Sequence, residues 1–309
     1  MTRTAKDWIL ALRPWSFSTS AIPVLVTLAY IYYVGATEGL ATPESDWVSG
    51  VLSLLMIMVL HAGGNVVSDY YDHVRRIDLP GGPNGVTWIY SGVFSPGEIL
   101  HYGLALVAVG AMLGMAILCR TDMGALWIGI LAIVLPLGYP WLKAHALGDI
   151  DILLCFAMLP AVGTSYVVTG SYHPETMLLS LPYGLLTLSI LHAKNTRDRA
   201  NDRRAGLCTV PLLFGWQASR WLYVAMQSLP YLLVPACMVW LLPVTSGTMA
   251  LLAVFVSLPL AIRNIRAMMA AKAETSQDIA TLDQMSAQGQ LAFGLLYAAG
   301  FVVAGIIGM

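Results

Sequence analysis

Two short stretches of the 309-residue chain carry carboxylates at helical spacing. In residues 61–78 (HAGGNVVSDYYDHVRRID), Asn65, Asp69 and Asp72 recur at i, i+4 and i+7 and share one helical face, with Asp78 just beyond. In residues 191–206 (LHAKNTRDRANDRRAG), Asp198 and Asp202 lie one turn apart and Asn195 one turn before them. Carboxylate and amide oxygens are hard ligands suited to Mg²⁺ or Ca²⁺, and Mg²⁺ habitually shares its coordination sphere with substrate phosphates. If the two stretches face one another where water is scarce, their carboxylates repel, and a bound divalent cation relieves the conflict. Lys143, Arg197 and the Arg75-Arg76 pair are the cations placed to neutralise a phosphorylated substrate. The competing reading is that these acids and bases are solvated helix ends that anchor a membrane topology. Two similar clusters on one face favour chemistry for the aspartates, whereas Arg203 and Arg204 read as anchors.

The elements that must hold these residues are membrane helices. With 58% hydrophobic and only 11% charged residues, and a mean hydropathy of +0.72, the composition is far from that of soluble domains. Sixteen basic against seventeen acidic residues leave a net charge of −1, so nothing marks the chain for nucleic acid. Apolar runs of about 20 residues, the length a bilayer core needs, begin near Ser16, Trp47, His101, Met123, Ile152, Glu175, Trp221, Gly247 and Gln290. The expected fold is all-α and polytopic, with nine transmembrane helices around a central cavity in a single domain over residues 1–309. With the N-terminus inside, fifteen of the sixteen Lys and Arg residues fall in cytoplasmic segments, Arg120 being the exception. This count puts the C-terminus outside, in a multi-pass protein of the cell (inner) membrane. The acidic stretches then both lie at cytoplasmic helix ends. The four cysteines are too scattered for a zinc or dithiol site.

The two stretches also resemble each other. Leu60-His61-Ala62 precedes the first Asn, and Leu191-His192-Ala193 precedes the second, which suggests a duplicated four-helix unit. His61 and His192 are candidates for a general base, or for histidines hydrogen-bonded between helices. Most of the Trp residues suit an interfacial belt.

On these motifs the chain resembles the UbiA-type intramembrane polyprenyltransferases, over nearly its whole length. That family carries N-D-x-x-D-x-x-x-D after its second helix and N-x-R-D-x-x-x-D after its sixth. Asn195, Arg197, Asp198 and Asp202 meet the second motif in full. The first is met in part: Ser68 stands where the family has Asn and Arg76 where it has its last Asp, while Asn65 and Asp78 lie near enough to substitute. Tyr139-Pro140 with Lys143 is similar to the family's Y-P-x-x-K, whose Tyr and Lys are expected near the diphosphate. The family's G-K-R-T is Gly206-Leu207-Cys208-Thr209 here, two cations short. The Arg13-Pro14 and Ile22-Pro23-Val24 segments, the loop from Gly81-Gly82 to Ser95-Pro96, and Gly163-Thr164 through Thr169-Gly170 look most like 1,4-dihydroxy-2-naphthoate polyprenyltransferases of menaquinone biosynthesis.

The resemblance implies transfer of a polyprenyl group from its diphosphate to an aromatic acceptor, with Mg²⁺ as cofactor and membrane lipid around the donor's tail. It implies Asp69, Asp72, Asp198 and Asp202 as metal ligands and, with Lys143, as the catalytic set. Asn65, Asp78, Tyr139, Lys143, Asn195 and Arg197 are then substrate-binding. Tyr70, Tyr71 and Tyr139 offer ring faces to an allylic cation, and the 73–100 loop is the expected shield against water. Other acceptors of the same chemistry are 4-hydroxybenzoate, haem, chlorophyllide or a glyceryl phosphate. A transporter is the alternative of a different class, disfavoured because the span interiors carry essentially no ionisable residues.

Overall fold

The computed structural model describes residues 4–38, 45–74 and 88–308; the side chains of Glu38, Asp72, Pro136, Leu137, Tyr139 and Pro140 are outside that description. Asp78, Arg75 and Arg76, with the rest of the 75–87 part of the expected shielding loop, likewise lie outside the described residues. In chain order the helices are α1 (Ala5–Ala11), α2 (Ser18–Glu38), α3 (Trp47–Val74), α4 (Pro96–Leu118), α5 (Gly124–Ala144), α6 (Gly148–Leu153), α7 (Leu159–Thr169), α8 (Glu175–Arg197), α9 (Arg199–Arg204), α10 (Val210–Leu241), α11 (Leu258–Ala270) and α12 (Leu282–Gly308). A π-helical turn, Leu154–Met158, joins α6 to α7, and a 3₁₀ helix, Thr248–Ser257, leads into α11. The described chain is all-α.

Eight of these helical stretches are long and apolar enough to cross a bilayer: α2, α3, α4, Gly148–Thr169, α8, α10, Thr248–Ala270 and Gln277–Gly308. The expectation of nine differs at α5, which is helical over Gly124–Ala144 but whose described apolar part, Gly124–Leu135, is shorter. Helix starts also differ where polar residues prolong a helix beyond its apolar run. α4 begins at Pro96 because Ser95 and Glu98 form a reciprocal cap, the Ser95 amide donating to Glu98 Oε2 at 2.8 Å. α10 begins at Val210, eleven residues before Trp221, and is broken at Gly215, whose φ of +81° suits only glycine.

Burial ranks the helices from centre to lipid. About two thirds of the spans of α2 and α8 is buried (67% each), against 17% for α4. Bare apolar side chains such as Met112, Trp127, Val256 and Trp240 cover the outer surface, as lipid contact requires. α2 packs on α12, α10 on α8, and α3 on α4, while α2 and α7 each pack on both α3 and α8. The core between α2, α8, α10 and α12 is filled by Tyr33, Tyr183, Phe293, Tyr297 and Phe301. Gly294 of α12 lies directly over Ile22 of α2, a close approach that a side chain would obstruct. Narrow crevices of about 160 and 170 Å³ lie among the described residues, the first beside Tyr30 and Tyr183 of this core.

Candidate active site

The second acidic cluster forms where α8 gives way to α9. Asp198 caps both: its amide bonds Lys194 O at 2.9 Å and its carbonyl accepts from Asp202 N at 2.9 Å, which keeps the two aspartates one turn apart. Asn195, Asp198 and Asp202 are all buried, so two carboxylates sit with little water near a helix end. Lys143, at the end of α5, brings Nζ to 3.6 Å from Asp202 Oδ1. Burial pushes the Asp202 carboxyl above its ordinary range; Lys143 opposes the rise and the Asp198 charge adds to it. Lys143, Gly148, Asp149, Asn195, Thr209 and Val210 line the crevice of about 170 Å³ at this end.

The chain reaches this arrangement through Ala146, whose φ of +61° turns α5 sharply into α6 and sets Lys143 and Asp149 on one crevice. Among the described residues, the other non-glycine in the left-handed region is Arg13. Such strained backbone persists where surrounding contacts demand it.

Arg13 belongs to the first cluster. Asp69 on α3 is 1% exposed, and Arg13 Nη2 donates to its Oδ1. Asn65 Nδ2 donates to Leu12 O and Ser16 Oγ, each at 3.1 Å, so this Asn ties α3 to the segment that presents Arg13. His61, on the same helix, bonds Ser20 Oγ through Nδ1 at 3.0 Å. His192 donates from Nε2 to Ser219 O at 2.9 Å. Both histidines thus bridge helices. Tyr70 packs with Trp8, Leu12 and Phe94 beneath the first cluster, whereas Tyr71 is exposed. Trp8 also belongs to this packing, 4.5 Å from Phe94 between ring centres.

Arg197, expected to bind the substrate, has partners within the protein. Its Nε donates to Asp198 Oδ1 at 3.0 Å and its Nη1 to Ala280 O at 2.8 Å and Asp283 Oδ1 at 3.0 Å. The guanidinium is engaged with the turn that starts α12. The two clusters are held on α3 and α8, to both of which α2 and α7 are packed. Among the described residues no group of three or more His, Cys, Asp or Glu side chains closes around one point. The side chains of Asp72 and Tyr139 are outside the description, and with them part of the expected site.

The donor chemistry nevertheless fits a hard cation and a phosphate. Asp202 Oδ2, Thr196 Oγ1 and Thr209 Oγ1 are buried oxygens without a hydrogen-bond partner, which a bound ion, phosphate or water would satisfy. Four residues beside the site were missed from the sequence. Arg13 and Thr209 stood in recognised motifs, Asp149 directly follows Lys143's turn, and Asp283 had no signal, being 86 residues from Arg197.

Comparison with known proteins bears on the same face. The UbiA prenyltransferase family matches residues 24–285. The chain is 29% identical over 306 residues to "UbiA prenyltransferase domain-containing protein 1" of Xenopus tropicalis, covering 96% of this chain and 82% of that protein. It is 32% identical over 232 residues to the Drosophila melanogaster homolog, covering 73% of this chain and 63% of that one. In structure it is similar to the apo UbiA homolog of Aeropyrum pernix K1, with a TM-score of 0.65 at 19% identity over 91% of this chain and 97% of that one. It is also similar to the Archaeoglobus fulgidus UbiA homolog bound to GPP and Mg²⁺, with a TM-score of 0.58 at 19% identity over 95% and 99%. A match over most of the chain makes this multi-pass membrane protein a member of the UbiA prenyltransferase family, an enzyme that transfers alkyl groups other than methyl.

Proposed function

We propose that the enzyme transfers a polyprenyl group, in a Mg²⁺-dependent reaction, from polyprenyl diphosphate to an aromatic acceptor, 1,4-dihydroxy-2-naphthoate in menaquinone biosynthesis. The observation that carries the reading is the pairing of Lys143 with buried Asp202 beside Asn195, on a crevice at the end of helices whose outer faces are bare hydrocarbon. A diphosphate head fits that polar end while an isoprenoid tail stays among apolar side chains. The Archaeoglobus fulgidus homolog bound to GPP and Mg²⁺ supports both the donor class and the cation. The short Gly- and Pro-rich similarities around Arg13-Pro14, Ile22-Pro23-Val24 and Gly163-Thr164 support the naphthoate acceptor.

Asp69, Asp72, Asp198 and Asp202 would hold the ion, which when bound supplies positive charge to the diphosphate oxygens. Lys143 approaches the same oxygens and stabilises the charge that gathers on the leaving group more than it stabilises the ground state. Asn195 and Tyr139 orient the head, Asp78 completes the first cluster, and Arg13 prevents Asp69 from standing as an uncompensated buried charge. The buried packing around Trp8, Tyr70 and Phe94 keeps water from one side of the reacting carbon. The reading places the catalytic end in the cytoplasm, by the distribution of Lys and Arg.

The test is incubation of membranes containing the protein with labelled polyprenyl diphosphate and a panel of phenolic acceptors, with mass identification of the product. A prenylated naphthoquinol is expected. Product from 4-hydroxybenzoate alone would replace the acceptor, and absence of any prenylated product would end the reading.

A further inference from the structure

Asp149 and His192 form a pair that the reaction as described does not use. His192 is fully buried in α8, and its Nε2 bonds a carbonyl oxygen, that of Ser219. A carbonyl can only accept, so Nε2 carries a hydrogen, and in the neutral tautomer selected by this bond Nδ1 presents a bare lone pair. That Nδ1 has no hydrogen-bond partner and stands 4.0 Å from Asp149 Oδ2. The Asp149 side chain is 14% exposed and lines the crevice with Lys143, Asn195 and Thr209. Two proton acceptors therefore face each other across 4.0 Å, about 1 Å more than a hydrogen bond spans, so that a shared proton would draw them together, and the outer of the two opens onto the crevice.

We infer that Asp149 is the general base that takes the acceptor's hydroxyl proton, with His192 as the positioning residue that shares it. The inference rests on the prenyl-transfer reading. In the step, the O–H bond of the ring hydroxyl breaks and its electron pair moves into the ring. A ring carbon then bonds to C1 of the prenyl group, while the C–O bond to diphosphate breaks and its pair leaves with the diphosphate. The proton rests on Asp149 Oδ2, hydrogen-bonded to His192 Nδ1, and no electrons are gained or lost overall. Where the substituted carbon bears a carboxylate, this leaves as CO2 and its bond pair passes through the ring to the carbonyl oxygen, which takes the proton back from Asp149 and restores both the aromatic ring and the base. Charge growing on the diphosphate raises the proton affinity of a neighbouring carboxylate, so the base strengthens as the donor ionises. Lys143 from the end of α5, Asn195 and His192 from α8, and Thr209 from the start of α10 are the polar groups that face Asp149; of these Lys143 and His192 are titratable, with Asp202 beyond Lys143.

The test is the rate of prenyl transfer by the purified full-length chain from a polyprenyl diphosphate to 1,4-dihydroxy-2-naphthoate, followed from neutral to alkaline pH. Asp149→Asn should lose about 10²-fold in kcat at neutral pH, within the range of general-base removal. It should recover as the pH nears the hydroxyl's own ionisation, about 10 for a simple phenol, because solvent then supplies the phenolate. Asp149→Glu should restore part of the neutral rate, and His192→Gln should lower kcat without changing the acceptor KM. Wild-type transfer by Asp149→Asn would overturn the inference, as would an equal loss at every pH in a variant that elutes and melts like wild type. With an active wild type those results sink this inference alone; a wild type that makes no prenyl product sinks the prenyl-transfer reading and this step together.

Discussion

Arg197 occupies the position from which a diphosphate clamp was expected, yet its guanidinium joins α8 to the start of α12, and removing it tests which role governs. Three of its bonds, at 3.0, 2.8 and 3.0 Å, reach Asp198, the Ala280 carbonyl and Asp283. Arg197 is 12% exposed, Asp198 8% and Asp283 22%. Breaking a buried ion pair by truncating one partner costs about 3–5 kcal/mol, since the remaining charge is stranded. Asp283 retains some water, so the lower end applies, about 3 kcal/mol, or roughly a 10²-fold change in the folding equilibrium. Arg197→Met should therefore unfold at lower temperature in mild detergent. Arg197→Lys, which cannot span both carboxylates with a planar fork, should fall between. The double variant Arg197→Met/Asp283→Asn should be little worse than Arg197→Met alone, leaving a coupling of about 2 kcal/mol in the cycle. Thermal unfolding read by size-exclusion recovery, alongside donor KM, makes the measurement. An Arg197→Met protein as stable as wild type but with a much raised donor KM would refute the reasoning and return the guanidinium to the diphosphate.

Asp69→Ala and Asp198→Ala should each abolish prenyl transfer while the protein still elutes as a folded species; retained activity in both would remove the metal assignment. Chelation of divalent ions should stop product formation and added Mg²⁺ should restore it. Lys143→Met should lower transfer by about 10²–10³-fold, the usual loss when one charge-stabilising donor is deleted, as read from initial rates at saturating Mg²⁺. Gly294→Val, which crowds Ile22, should cost about 1–3 kcal/mol in detergent unfolding, the range for overpacking. On the opposite face, hydrogen bonds from Arg120 hold the Asp46 carboxyl well below its usual range. A depressed carboxylate stabilises above its unfolded pKa, about 3.9, and loses that contribution as pH falls toward the folded value. The stability gap between wild type and Asp46→Asn should therefore stay constant from pH 7 to 5 and close only in stronger acid.

Hydropathy and motif spacing carried the membrane class, the helix order and the second aspartate cluster, because these depend on residues close in sequence. Asp198, Asp202 and Asn195 share a helix end, and Lys143 lay in a short motif of its own, so their assembly was legible. The bond from Arg13 to Asp69 was not, since it spans 56 residues and depends on a left-handed turn at Arg13 that no local pattern announces. The bond from Arg197 to Asp283 was hidden for a related reason: the polar turns that begin α12, with Asp283, are hydrophilic and fell outside the apolar run taken to start at Gln290. The break at Gly215 was equally hidden, because a glycine in an apolar helix signals close packing as readily as a reversal of φ.

The π-helical turn at Leu154–Met158 places one surplus residue between Asp149 and the Pro160 end of the span, with Leu159 N bonding back to Leu154 O. The bulge absorbs that residue, so the turns on either side keep the phase of an uninterrupted helix; adding one further residue to the regular turns beside it, which have no such slack, would swing everything upstream by about 100° around the axis, one residue's rotation at 3.6 per turn. Asp149 and the sharp bend at Ala146 would then be carried away from His192 while every aspartate of the two motifs stayed in place. A one-codon change in an apolar stretch, far from any charged residue, is thus enough to misalign this corner of the molecule without touching its metal-binding signature.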